Sequence, residues 1–167
     1  MKAWIIAGIT IVCIVFFGFF YYMYDTISDP LSARENEAVN LAQKETNLAD
    51  VDNIDFYHGS RSYQVIEGRD DHGEKVYVWV EELKEEQKED NVSSRIVMKF
   101  KHEGITKEEV GEIIDSELAV KELMSIRLGM IGVTPIYEVT YIDEDDRHSF
   151  YYLSFADGSY INRHYQL

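Results

Sequence analysis

The sequence predicts an α+β fold in which an N-terminal transmembrane helix precedes two tandem units, each a helix with an antiparallel sheet. Three observations lead to this prediction. The chain begins with a long apolar stretch, it contains two segments that fit a helix start, and alternating apolar and aromatic residues follow each of them. We expect the cytoplasmic start and anchor at residues 1–25, the first unit at 26–103 and the second unit at 104–167.

The apolar stretch predicts a membrane anchor. Ala3–Tyr24 comprises 22 residues without a charged side chain, and a helix of that length covers the roughly 30 Å of a bilayer core. Lys2 precedes the stretch and Asp25 follows it, so the positive-inside rule keeps the N-terminus in the cytoplasm. A cleaved signal peptide would need small residues at its cleavage site, whereas Phe19–Tyr24 are bulky. We therefore expect a single-pass protein of the cell membrane with an extracytoplasmic C-terminal domain.

Two helices are predicted from capping boxes, in which a Ser or Thr and a Glu three residues later bind the free N–H groups at a helix start. Ser32–Glu35 and Thr106–Glu109 both fit this pattern when the chain is laid on itself with an offset of 74 residues. Apolar residues then recur at helical spacing, at Ala38, Leu41, Ala42 and Ala49 in the first segment and at Val110, Ile113, Ile114 and Leu118 in the second. Each unit should therefore open with a helix that buries one face.

After each helix the apolar period changes to two residues, which predicts strands. The same offset aligns three strand pairs, namely Ile54 and Phe56 with Leu128 and Met130, Tyr63 and Val65 with Tyr137 and Val139, and 76–78 with 150–152. A fourth strand of the first unit is expected near Ser93–Lys101, and Asp157-Gly158 should form a tight hairpin before Ser159–Tyr165. Because hairpins join antiparallel strands, we expect antiparallel sheets, with each helix and its sheet covering each other's apolar faces.

The composition excludes several classes of function. The chain carries a net charge of −15 and no run of Lys and Arg, which argues against binding to nucleic acid or to anionic lipid. Its one cysteine, Cys13, lies in the predicted membrane helix. The exported part is therefore expected to have no disulfide, thiolate nucleophile or thiolate metal site, and its stability must come from a packed core.

The sequence supports no assignment of catalytic, cofactor-binding or metal-binding residues. It contains no H-E-x-x-H, G-x-S-x-G or G-x-x-x-x-G-K motif. The acidic turns Asp70–His72 and Asp143–Asp146 offer oxygen atoms, but neither has the ligand order of a calcium loop, and hairpin tips are the simpler interpretation. Five histidines are scattered without a second histidine at helical ligand spacing: His58, His72, His102, His148 and His164.

Two further features leave alternatives open. Tyr151 and Tyr152, in an aromatic-rich C-terminal segment, should point to opposite faces of one strand. At least one of them then lies on the surface, where tyrosine suits a protein or glycan partner, or between the two units. The acidic stretch Glu81–Asp90 is expected to be a solvated turn or short helix, with an acidic docking site as the alternative.

The pattern resembles the TseB-like family, also called YpmB-like, of Gram-positive bacteria. The likeness rests on the short cytoplasmic start, the membrane helix and Asp29-Pro30, and on the later segments Gly104–Glu109, Ile136–Val139 and Tyr152–Gly158. It implies a pair of PepSY-like or cystatin-like units outside the membrane. It also implies a regulator of cell wall elongation that associates with a class B penicillin-binding protein, and it brings no catalytic residues.

Three functional hypotheses follow. The leading one is a non-catalytic, membrane-anchored interaction module that binds a wall-synthesis enzyme, because shared anchoring raises the effective concentration of the partners. The alternative is an inhibitor or propeptide-like regulator of an extracytoplasmic protease, since PepSY-like units resemble modules found beside proteases. An unrecognised wall hydrolase would need two carboxylates that converge in a cleft.

Overall fold

The computed structural model of the chain describes residues 2–83, 93–161 and 165–166, with side chains in the helices and strands described for 12–20, 32–83 and 93–161. The chain divides into two compact units, residues 1–37 and residues 38–167. Within the described residues, no helix is both long enough and apolar enough to cross a membrane.

Two α-helices, one short 3-10 helix at Lys101–Glu103 and two four-stranded sheets make up the described structure. Helix α1 spans Lys2–Glu45 and α2 spans Lys107–Glu117. The first sheet contains β1 (Leu48–His58), β2 (Ser62–Asp70), β3 (Lys75–Glu82) and β4 (Ile96–Phe100). The second contains β5 (Val120–Ile131), β6 (Thr134–Asp143), β7 (His148–Ser154) and β8 (Tyr165–Gln166). Neighbouring strands follow chain order and are antiparallel, so the predicted α+β fold with a helix before each antiparallel sheet is confirmed.

The capping box predicted at the start of α2 is present. Thr106 Oγ1 accepts a hydrogen bond from the backbone N–H of Glu109 at 3.2 Å. The carboxylate of Glu109 accepts one in return from the backbone N–H of Thr106 at 2.7 Å. Val110 and Ile114, one turn apart, are both fully buried. The cap therefore fixes the start of the helix, and the apolar spacing turns one face of it into the core.

The prediction that the first helix begins at Ser32 is wrong. Ser32 lies inside α1, because the residues before it are helical and their carbonyls already accept the N–H groups that a cap would satisfy. Ala38 and Ala42 are buried as predicted. Ala49 is exposed and belongs to β1, because α1 ends four residues before it, at Glu45.

The first sheet is covered on both faces. On one face, Ile66, Val78 and Val80 form a cluster with Ala38 and Ala42 of α1. The alternate residues of the same strands point the other way and join a core shared with α2 and the second sheet, to which the first sheet contributes Tyr57, Tyr63, Val65, Tyr77 and Trp79. The first sheet is thus covered by α1, as predicted, and the second half of the domain also packs against it and buries its other face.

The two sheets share a pattern of pairing, but not at the predicted offset of 74. Ile54 pairs with Ile66 and Ile126 pairs with Val139, which places corresponding residues 72 apart in β1 and β5 and 73 apart in β2 and β6. Both first strands carry two irregularities near their N-terminal ends. A one-residue slip in a strand reverses the direction of a side chain. The offset of 74 is thus one residue out of register in β2 and β6. A residue that it aligns in β6 points to the face of its sheet that does not correspond to the face of its counterpart in β2.

Candidate protein-binding surface

The histidines do not gather into a site. The four that are described are exposed and lie on different elements, at His58, His72, His102 and His148. His164 lies outside the described residues. His58 stacks on Phe56 and His102 stacks on Phe100. Among the described residues, no three His, Cys, Asp or Glu side chains converge where they could hold a metal ion.

Each acidic turn is organised by one buried aspartate. Asp70 accepts hydrogen bonds from the backbone N–H groups two and four residues ahead of it, at 3.0 and 2.7 Å. Asp143 makes the same two bonds, at 2.9 and 3.0 Å, and also binds Arg147 Nε at 2.9 Å. Both turns are hairpin tips, as the sequence indicates, and these two carboxylates hold the backbone of the tip.

The pKa of Asp143 makes this turn sensitive to acid. The backbone N–H of Arg147 and its side chain hold the pKa of the Asp143 carboxyl below its usual value. A carboxyl with a depressed pKa stabilises the fold at pH values above its unfolded pKa, and this stabilisation is lost as the pH falls through the folded pKa. We therefore expect the unfolding temperature of Asp143→Asn to fall less steeply below about pH 4 than that of the unchanged chain.

Circular dichroism melts at a series of acidic pH values measure this difference. Asp115→Asn, on the exposed side of α2, is the matched control and should keep the slope of the unchanged chain. Equal slopes for Asp143→Asn and the unchanged chain would contradict the assignment.

Only the beginning of the acidic stretch Glu81–Asp90 is described. Glu81 and Glu82 complete β3, and the side chain of Glu81 is buried in an ion pair with Arg61. The alternatives of a solvated turn, a helix or a docking site concern residues 84–90, which lie outside the described residues.

The aromatic residues of the C-terminal segment belong mostly to the core. Tyr137 and Phe155 are fully buried, and the Tyr137 hydroxyl donates a hydrogen bond to the carbonyl of Ile105 at 2.7 Å. Tyr151 and Tyr152 occupy opposite faces of β7, as predicted, with the first buried and the second half-buried. The structure thus favours packing as the main role of these rings.

The outer edge of β1 is an exposed surface that sequence reasoning missed. β1 pairs with β2 on one side, and no strand in the described part of the chain pairs with its other side. After two irregularities, Asn53–His58 pairs with Ser62–Glu67 in unbroken register. We call Asn53–His58 the β1 edge segment. Phe56, in its middle, is 42 % exposed although it carries a large apolar ring.

The surface around the β1 edge segment is acidic. β1 contains three aspartates, Asp50, Asp52 and Asp55, and neither Lys nor Arg. The carboxylate of Asp55 accepts a hydrogen bond from the Asn53 side chain at 3.2 Å. Asp52 lies 4.0 Å from Arg69 on the neighbouring strand, at the limit of an ion pair between exposed groups. The edge therefore combines an exposed apolar ring with a local excess of negative charge.

A second exposed surface lies on the unit of residues 1–37. The apolar side chains of residues 12–20 of α1 are all exposed, from Phe20 at 56 % to Phe17 at 72 %. Successive helical residues are rotated by about 100°, so this run is apolar around the whole circumference of the helix. A helix that is apolar on all sides is typical of a segment that other apolar groups cover.

The fold and these surfaces define an α+β protein with paired helix-and-sheet units, and a solved structure has the same fold. The YpmB protein from Bacillus subtilis superposes on the chain with a TM-score of 0.68 and 30% sequence identity. The match covers 79% of this chain and 96% of that protein.

Sequence comparison narrows this class to one family. Residues 37–81 match the model of the cell wall elongation regulator TseB-like domain. Over 120 residues the chain is 32% identical to the "Probable cell wall elongation regulator TseB" of Bacillus subtilis (strain 168), which covers 72% of this chain and 70% of the relative. The chain belongs to the TseB-like family, and the family predicted from the sequence is confirmed.

Proposed function

We propose that this chain is a membrane-anchored, extracytoplasmic regulator of cell wall elongation that works by binding another protein without catalysing a reaction itself. The partner proposed is a class B penicillin-binding protein. The observation that carries the proposal is membership of the TseB-like family, with a match that extends over most of a relative named as a cell wall elongation regulator.

The anchoring rests on the N-terminal segment. Ala3–Tyr24 lacks charged side chains, and the described run within it, residues 12–20, is exposed and apolar around the helix. Lys2 before the segment and Asp25 after it favour a cytoplasmic N-terminus, which supports an extracytoplasmic position for the remaining residues.

A binding role agrees with how the described residues use their polar groups. The buried carboxylates Asp70 and Asp143 hold turns, and buried Glu81 pairs with Arg61. These three carboxylates are therefore engaged in contacts that stabilise the fold. The exposed β1 edge segment, in contrast, offers apolar and acidic groups to a partner.

Photo-crosslinking in living cells tests the partner. A photoreactive amino acid is placed at one exposed position at a time, at His58 on β1, Asp115 on α2 or Val133 in the β5–β6 turn, in the full-length chain at its native expression level. We expect mass spectrometry of the captured complexes to find a class B penicillin-binding protein at one or more positions, dependent on irradiation.

Two outcomes would overturn the proposal. A membrane protease captured in place of the penicillin-binding protein would support the alternative, a regulator of an extracytoplasmic protease. Failure to capture any protein reproducibly at all three positions would contradict a binding role. An unrelated single-pass protein carrying the same photoreactive residue controls for proximity within the membrane.

A further inference from the structure

We propose that the β1 edge segment receives an extended segment of the partner protein as an additional antiparallel or parallel strand, and that this segment alternates apolar and basic residues. The inference rests on the proposed protein-binding function and specifies which surface acts and which sequence pattern it selects.

The backbone of the β1 edge segment is suited to strand addition. β1 is the terminal strand of its sheet among the described residues. Asn53–His58 has six residues in regular register, a length of about 20 Å at the usual rise of a strand. The irregularities of β1 all lie before this segment, so its outer N–H and C=O groups keep the regular spacing that an added strand needs.

One face of the segment selects apolar residues. Ile54, Phe56 and His58 alternate along β1 and therefore share a face of the sheet. Phe56 and His58 stack with their ring centroids 6.2 Å apart, and both are exposed. Side chains directly opposite each other on paired strands lie about 5 Å apart. An apolar residue of an added strand would thus cover the Phe56 ring and remove it from water.

The opposite face of the segment selects basic residues. Asn53 and Asp55 share this face, and the Asn53 amide donates to the Asp55 carboxylate. Tyr57, the next residue on the same face, is buried against the second sheet, so the open part of the face is formed by Asn53 and Asp55. Asp50 and Asp52 add negative charge to the preceding part of β1, where Asp52 lies 4.0 Å from Arg69 of β2 and β1 itself contains no cation. A Lys or Arg opposite Asp55 would make a favourable cross-strand pair, whereas Asp or Glu there would be repelled.

The same charges argue against a second copy of this chain as the occupant. If two β1 strands paired along their outer edges, their aspartates would come together, and the two domains each carry a large negative charge. Charged side chains on an edge strand are also a common protection against self-association. The β1 edge segment therefore repels its own copy and attracts a cationic strand.

Peptide binding to the full-length chain in a zwitterionic detergent tests the proposal. The probe is a fluorescent eight-residue peptide of alternating Lys and Val, with Glu in place of Lys in the control peptide, and anisotropy reports binding. We expect the Lys peptide to bind and the Glu peptide not to bind. Asp55→Lys should weaken binding about fivefold or more, in line with the energies of cross-strand charge pairs. The matched charge reversal Asp115→Lys on α2 should change it little.

N-methylated peptides separate strand addition from simple charge attraction. Methylation of alternate backbone nitrogens blocks one edge of the peptide and leaves its charge unchanged. We expect one of the two alternating patterns to abolish binding and the other to preserve it. Equal binding of both methylated peptides, or unchanged binding to Asp55→Lys, would overturn the proposal. This measurement does not depend on how any variant folds, because it can be made with the unchanged chain.

The inference and the proposed function fail in different ways. If the Lys peptide binds at β1 but no penicillin-binding protein is crosslinked, the β1 edge proposal stands and the proposed partner is wrong. If the penicillin-binding protein is crosslinked but Asp55→Lys and N-methylation have no effect on the peptide, the function stands and the β1 edge proposal is wrong.

Discussion

Replacing Trp79 with alanine should destabilise the domain by about 3–5 kcal/mol, the usual cost of truncating a large aromatic side chain in a core. Trp79 is fully buried on β3, and its ring centroid lies 5.9 Å from that of Tyr77 and 5.7 Å from that of Phe155. Phe155 follows β7, so the cavity would open between the first sheet and the second half of the domain. Urea unfolding followed by far-ultraviolet circular dichroism measures the loss.

Two further variants make the Trp79 experiment specific. Trp79→Phe retains an aromatic ring and removes the indole N–H, which has no hydrogen-bond partner among the described residues, so its cost should be much smaller than that of Trp79→Ala. Val133→Ala shortens an apolar side chain that is 67 % exposed and should change stability by less than about 0.5 kcal/mol. A Trp79→Ala variant as stable as Val133→Ala would contradict the shared core.

Replacing Gly129 with alanine should destabilise the domain by about 1–3 kcal/mol through overpacking. A Cβ atom at Gly129 on β5 would lie 2.5 Å from the ring of Tyr57 on β1. Tyr57 has little freedom to move away, since its ring is buried and its hydroxyl is 3.4 Å from the carboxylate of Glu138. The methyl group would therefore force the two sheets apart where they meet. Thermal unfolding of the purified chain measures the cost.

The same substitution at Gly111 should have the opposite sign. Gly111 lies within α2, and a Cβ atom there would meet nothing within 4 Å. Alanine is favoured over glycine inside a helix by roughly 0.5–1 kcal/mol, so Gly111→Ala should raise the unfolding temperature. If both alanine variants lowered stability equally, a close approach of the sheets at Gly129 would not be the cause.

Features set by neighbouring residues were predictable from the sequence. The capping box of Thr106 and Glu109 requires contacts over only three residues, and it forms as predicted. The fourth strand of the first sheet, Ile96–Phe100, lies within the range expected from its alternation. The aspartates of the hairpin tips bind backbone groups within four residues. Each of these depends on the local chain and therefore leaves a local signal.

Features set by distant residues were not predictable. Ser32–Glu35 has the pattern of a helix start, but whether it acts as one depends on the backbone before it, which continues the helix. A single offset of 74 residues cannot describe the repeat. Corresponding residues of the two sheets lie 72 positions apart in β1 and β5 and 73 positions apart in β2 and β6. Packing of the two units against each other could be expected from their small size, but the particular contacts, such as Trp79 with Phe155, join residues far apart in the chain and leave no local signal.

The candidate surface was predictable only in part. The sequence shows the aspartates of β1 and the alternation around Phe56, but alternation alone does not reveal whether a strand lies inside a sheet or at its edge. That position depends on the order of strands, and in this chain β1 is followed along the sheet by β2, β3 and β4 on the same side. The exposure of Phe56 follows from this order.

The shared core also determines what happens during synthesis. Ribosomes deliver the N-terminal part of a chain first, at about 5–20 residues per second. The strands β1–β4 are therefore available before Phe155 has been made, and until then the ring of Trp79 has no cover from that side. During this time α1 can cover one face of the first sheet, while the apolar side chains on the other face are exposed to solvent. During the interval between synthesis of the first sheet and synthesis of the second, this apolar face is therefore open to aggregation.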